Sequence, residues 1–220
     1  MSKYRIYNAS FPVKHLDIYE KILNWKGSEF YKFKILRTRD YYFDAVFIET
    51  NIIEEEFIDL DNNTQIIKKL VRNEIFFSIL NRKENNFLTL NEPRSISTLK
   101  NIFSKIFNFE FYMDSIKVHP LEIVNEFQNS VKSSITIDKI EIKNALFNKN
   151  ITMNSTIKAS FDIRDNLNDI IKTKYYEISK INGFISEFPK DRFLITNEYV
   201  IKFEGSLELP ILNFIHTHTF

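Results

Sequence analysis

Between Val71 and Val118 the spacing of apolar positions changes from strand-like to helical and back. Residues 72–80 and 87–90 are rich in aromatic and β-favouring side chains, which predicts two strands joined by a polar turn across 81–86. Pro93-Arg94-Ser95 ends the extended run. Ile96, Leu99, Ile102, Phe103, Ile106 and Phe107 then recur at helical spacing, predicting a core-facing stripe over 96–107. Ser95 is placed to cap that helix by accepting from its first free amides. Residues 109–118 return as a strand, and His119-Pro120 opens a helix to about residue 127.

The same reading extends in both directions. A strand over 5–11, a helix over 15–25 stopped at Gly27, and strands over 30–37 and 41–49 precede this stretch. Phe43, Ala45 and Phe47 on one face, with Val46 and Ile48 on the other, predict a strand buried on both sides. Residues 53–60 suggest a further strand turning at Asp61-Asn62-Asn63. Downstream, polar residues 129–134 are the best candidate boundary, giving an N-terminal subdomain 1–128 and a C-terminal subdomain 129–220. The strand over 135–147 alternates cleanly but slips by one residue between Ile137 and Ile140, as a bulge would require. A strand over 151–163, a helix over 166–184 and strands over 193–196 and 199–207 follow, then an apolar tail from Ile211 to Phe220. Adjacent extended segments with no regular helix between them predict an α+β fold, mostly antiparallel, with about four amphipathic helices packed on the sheets.

Composition removes whole classes of chemistry. The 220 residues include no cysteine, so disulfides, thiolate metal sites and cysteine nucleophiles are excluded. Three isolated glycines leave no phosphate loop, no dinucleotide fingerprint and no nucleophile elbow. No catalytic motif, cofactor motif or metal motif stands out, so the expected protein is non-enzymatic, without cofactor or metal. No apolar run is long enough to span a bilayer and the first residues lack a signal-peptide pattern, so the expected location is the cytoplasm. The 22 Phe and 10 Tyr, with abundant Ile, Lys and Asn, fit AT-rich coding DNA from a bacterium or mobile element.

Net charge is +1, but its distribution is uneven. From Asp44 to Asp61 there are seven acids and no base; from Lys68 to Lys105 there are eight bases against three acids. Arg82, Lys83, Arg94, Ser95, Lys100 and Lys105 form the candidate nucleic-acid-binding set, because cations and hydroxyls near a helix start commonly hold phosphates. The ordinary alternative is a solvated helix face. Tyr41, Tyr42, Tyr175 and Tyr176 are candidate base-stacking residues or core. Asp138, Glu141 and Lys143 have the spacing of a metal-dependent nuclease, but the solvated face of an amphipathic strand is the preferred reading. Asp59-x-Asp61 lacks the rest of a calcium loop, and His216 with His218 lacks further ligands.

The run from Phe87 to Phe107, then a strand and His119-Pro120-Leu121, resembles the central part of the recombination-associated RdgC family. The later order of strand, helix over 166–184 and closing strands is loosely similar. The resemblance implies a non-enzymatic DNA-binding protein that assembles as a dimeric ring, in recombination control or anti-phage defence. A protein–protein interaction subunit using the apolar tail, as a homo-oligomer or with another protein, is the second expectation. A metal-dependent nuclease is the third, and membrane insertion is not expected.

Overall fold

The computed structural model describes residues 2–58, 64–82, 87–90, 95–148, 151–171, 173 and 175–217. In chain order the elements are β1 (Ser2–Ser10), α1 (His15–Asn24), β2 (Tyr31–Arg39), β3 (Tyr42–Ile58), β4 (Thr64–Leu80), β5 (Phe87–Leu90), α2 (Ser97–Ile106) and β6 (Tyr112–Ser115). They continue as α3 (Pro120–Val131), β7 (Ile135–Asn148), β8 (Ile151–Lys158), α4 (Leu167–Ile170), β9 (Glu177–Ile185), β10 (Phe188–Thr196), β11 (Val200–Phe203) and α5 (Glu208–Thr217). The ladders joining β2 to β5 and those joining β1, β11, β10, β9, β7 and β8 are antiparallel. The fold is therefore α+β. Two compact units emerge: an arm unit, Ala9–Met113, and a platform unit, Met1–Asn8 with Asp114–Phe220.

In the arm unit the strand order is β2-β3-β4-β5. Alternation puts Phe33, Phe43, Ala45, Phe47, Phe77 and Phe87 on one face. Phe103 of α2 sits fully buried among them, with ring centroids 5.5 Å from Phe33, 5.6 Å from Phe77 and 5.8 Å from Phe87. Phe11 and Phe111 close the cluster around Phe103 at 6.1 and 5.3 Å. Tyr42 and Val46 on the opposite face are buried as well, as the apolar pattern of β3 requires. The phenylalanine-rich composition thus has a structural use, since edge-to-face rings fill this core.

β3 and β4 each run for 17 residues and pair from Tyr42↔Leu80 to Ile58↔Thr64. The strands expected over 41–49 and 53–60 are therefore one continuous element. Its outer part carries neither β2 nor β5, since those pair only at Tyr42–Glu49 and Phe76–Ile79. The turn expected at Asp61-Asn62-Asn63 lies outside the described residues.

The platform unit is a six-strand ladder in the order β1-β11-β10-β9-β7-β8. Ile135, Ile137, Ile140, Ile142, Ile181, Phe193, Ile195 and Phe203 line one buried face. Helices α3 and α5 pack on this side, with Phe127 5.2 Å from Phe214 and 6.1 Å from Phe193. The register of β7 against β9 shifts between Ile137 and Lys139, at the slip visible in the sequence.

Three expectations are corrected. The helix over 166–184 does not form. A 3-10 turn at Ile163–Asn166 and the short α4 occupy its start, and β9 takes Glu177–Ile185. β9 is hydrogen-bonded to β7 on one side and β10 on the other, and this pairing outweighs the helical spacing of its isoleucines. Gly183 is not a helix stop. A Cβ there would lie 2.5 Å from the Thr136 carbonyl oxygen and 2.9 Å from the Phe193 ring. Second, the polar run 129–134 is the end of α3 and its left-handed Lys132 cap, and both flanks belong to the platform unit. Third, residues 211–217 of the apolar tail lie in α5, where Ile211, Phe214 and Ile215 are buried; residues 218–220 lie outside the described residues.

The Phe103 cluster yields the first prediction. Phe103→Ala should destabilise the arm unit by about 3–5 kcal/mol, because it removes a ring that six others touch. Denaturant unfolding of the purified variant measures this. A loss below about 1 kcal/mol, the level of an ordinary surface change, contradicts the packing described.

Candidate nucleic-acid interface

The described residues among those singled out near α2 do not present one cationic face. Lys100 turns inward and donates to the Met113 carbonyl oxygen at 3.3 Å. Lys105 is exposed in the last turn of α2, and Arg82 is half-buried. Ser95 is exposed and sits one residue before the cap position, which Ile96 occupies. Its hydroxyl accepts from the Ser97 amide at 3.3 Å, so it still serves the first turn. Lys83 and Arg94 lie outside the described residues.

The two charge blocks have a structural explanation. The acids of β3 and the bases of β4 are opposite strands of one ribbon, with Glu54 directly across from Lys68 and bonded to it at 2.8 Å. Arg72 bonds to Glu74 at 2.7 Å. Lys68 and Arg72 of the basic block are thus matched locally by acids.

A different cationic surface stands on the platform unit. Opposite the helix-covered face, alternation places Lys3 and Arg5 of β1, Lys202 of β11, Arg192 of β10, Lys180 of β9, Lys139 and Lys143 of β7 and Lys158 of β8 on one polar face. The bulge after Ile137 is what turns Lys139 and Glu141 outward; unbroken alternation from Ile137 would have buried both. Two lysine pairs stand directly opposite each other across strands, Lys3↔Lys202 and Lys139↔Lys158. Like charges in that position repel, and Lys139 is compensated by Glu141 at 2.8 Å.

The acids of this face are tied to the cations. Glu141 accepts from Lys139 at 2.8 Å and from Lys180 at 2.7 Å. Asp138 is paired with Arg192, whose guanidinium also lies 5.3 Å from the Phe184 ring centre. Glu198 meets Arg5 at 3.5 Å, and Glu177 takes Asn197 and Asn144. The hydrogen bonds from Lys139 and then Lys180 hold the Glu141 carboxyl below the usual carboxylate range, against a smaller opposing effect of burial. Asp138 Oδ1 and Asn182 Oδ1 make no hydrogen bond within the protein. A hollow of about 210 Å³ on the unit is lined by Glu141, Ile142, Lys143, Asn154, Ser155, Thr156 and Ser179.

This arrangement suits holding a polyanion. Cations outnumber carboxylates, mixed hydrogen-bond donors and acceptors lie between them, and Phe184 adds a partly exposed ring. As a nuclease centre it is poorly set, because Asp138 and Glu141 are already engaged by arginine and lysine. Among the described residues no three His, Asp or Glu side chains converge as metal ligands. Asp59, Asp61 and His218 lie outside the described residues, and His216 is in α5. Tyr42 is core rather than a stacking platform, while Tyr41 and Tyr175 are exposed. No helix among the described residues is long and apolar enough to cross a membrane.

Lys3, Arg5, Lys158, Lys180, Arg192 and Lys202 are not legible as a set, being scattered from one end of the chain to the other. Each does sit in a strand beside apolar residues, as in Ile201-Lys202-Phe203, so the signal is outward alternation rather than local charge density.

The ion-pair geometry predicts a pH dependence. A depressed carboxyl pKa contributes stability above the ordinary glutamate range, and that stability is lost as pH falls through the lowered value. Carboxyl-carbon NMR should therefore show Glu141 titrating below the ordinary range of a glutamate carboxyl, and Lys139→Ala should raise its midpoint. A midpoint at or above that of an exposed glutamate contradicts the assignment.

No family model matches the chain, and no curated protein is similar to it.

Proposed function

We propose that this protein is a non-enzymatic nucleic-acid-binding protein that holds the phosphate backbone on the polar face of the platform unit. The observation that supports this reading is the excess of cations on that face, where eight lysines and arginines from six strands stand with four carboxylates, Asp138, Glu141, Glu177 and Glu198. An excess of positive charge on one surface attracts a polyanion such as a phosphate backbone. Six of the eight cations on the face are lysines, which act as point charges rather than as planar forks. Such a surface contacts backbone and not base edges, so binding is expected to be sequence-tolerant. The RdgC resemblance of residues 87–107 and His119-Pro120-Leu121 is what suggests a role in recombination control, and a role in anti-phage defence is part of the same proposal. The helix expected over 166–184, the other part of that resemblance, is absent. A protein-interaction role is favoured by a separate feature, the exposed outer ribbon of β3 and β4.

Fluorescence anisotropy with labelled single- and double-stranded DNA tests the proposal. If about four phosphates are neutralised, affinity should fall roughly 50- to 150-fold between ~50 and ~200 mM salt, from the counterion slopes of single and double strands. Incubation with plasmid and magnesium should leave the plasmid intact. No detectable binding at the lower salt rejects the proposal, and cleavage rejects its non-enzymatic part.

A further inference from the structure

Across the polar face of the platform unit, Lys3, Lys202, Leu194, Asn182, Lys139 and Lys158 stand in one row, one from each of the six strands. Neighbouring strands lie about 4.8 Å apart, so the row is roughly 24 Å long. Lysines occupy its two ends in pairs, and uncharged side chains its middle. None of the six is a core residue. The helices that cover the core of this unit, α3 and α5, pack on the opposite face.

An aromatic ring stands beside the middle of the row. Phe184 follows Asn182 by two residues on β9, on the same face and about 7 Å along the strand. It is half-buried, whereas Phe193, Phe203 and Phe214 of the same unit belong to the core. Arg192 stands directly across from it on β10, with its guanidinium 5.3 Å from the ring centre. Asp138 pairs with that guanidinium. The ring is therefore held in place with a cation beside it, and Leu194 continues the apolar strip along β10.

Cations separated by uncharged side chains and a ring do not match a duplex. In a duplex the base faces are stacked on one another, and only base edges show in the grooves. Phe184 and Leu194 would then face phosphate and water. An unpaired strand has base faces to offer, and a base gains by stacking on a ring whatever its identity. Open sheet faces that carry rings suit unpaired strands for this reason. We propose that the nucleic acid held on this face is single-stranded. It lies along the row, across the strands, with its backbone at the two lysine pairs and a base stacked on Phe184. The proposal rests on the nucleic-acid reading above and narrows it to one class of ligand.

Fluorescence anisotropy at ~50 mM salt tests it, with a labelled thymidine oligomer of about 16 nucleotides and a duplex of the same length. The full-length chain should bind the single strand roughly tenfold or more tightly than the duplex, within the range that one stacked base supplies. Phe184→Ala should lower single-strand affinity roughly 5- to 150-fold, the loss of one stacked base, and change duplex affinity by less than about twofold. Phe184→Tyr keeps a ring and should bind the single strand like wild type. In Phe184→Trp the added indole reports the site directly, since the one tryptophan of the chain, Trp25, lies in the arm unit. Emission of that variant should fall on saturation with the thymidine oligomer by more than that of wild type, a readout that holds even where Phe184→Ala does not fold. Duplex binding as tight as single-strand binding, a folded Phe184→Ala that binds the single strand like wild type, or a Phe184→Trp emission quenched no more than wild type overturns the proposal and leaves the broader nucleic-acid reading in place. Failure of both probes to bind wild type overturns the two together.

Discussion

The ladder around β9 sets the rest of the platform unit. β9 is hydrogen-bonded on both sides, so its residues can point only above or below the sheet. Burying Ile181, Phe193 and Ile137 beneath α3 and α5 commits one face to the core. Every position in between is then driven to the other face, whatever its charge. Lys180 and Lys202 reach the polar face by this rule alone, and Lys139 reaches it through the bulge. The cationic surface is thus a consequence of strand pairing, assembled from residues distant in sequence.

The same alternation works differently in the arm unit. There the inner half of β3 and β4 is bound to β2, β5 and the Phe103 cluster, while the outer half has no third strand. Stability of the inner half comes from packed rings, and the outer half is held by cross-strand pairs such as Glu54–Lys68. Lys68, Lys69 and Arg72 of the basic block and Glu54, Glu55 and Glu56 of the acidic block lie on the two strands of this one ribbon. A linear count of charge says little until the pairing is known.

Local signals in the sequence are legible where neighbours in the chain are neighbours in space. α1, α2, α3 and the bulge in β7 follow from spacing within a dozen residues or so. The segment 166–184 misleads because its isoleucines satisfy both periods, and the choice is made by β7 and β10, outside the segment itself. α5 is hidden for a similar reason, since its apolar residues gain their meaning from α3. The candidate site suffers most. The helical position of Lys100 points it outward, but its ammonium is turned to the Met113 carbonyl. The cations on the platform are one or two residues in each strand, and nothing short of the register brings them together.

The central claim is that phosphate is held on the platform face, and paired charge reversals test it most directly. DNA affinity at low salt should be compared for Lys158→Glu with Lys202→Glu, on the platform, and for Lys105→Glu, on α2. The account predicts a loss of tenfold or more, roughly 1.4 kcal/mol or above, for the platform variant and little change for the α2 variant. Equal binding by wild type and the platform variant, with the loss appearing in Lys105→Glu, would contradict it.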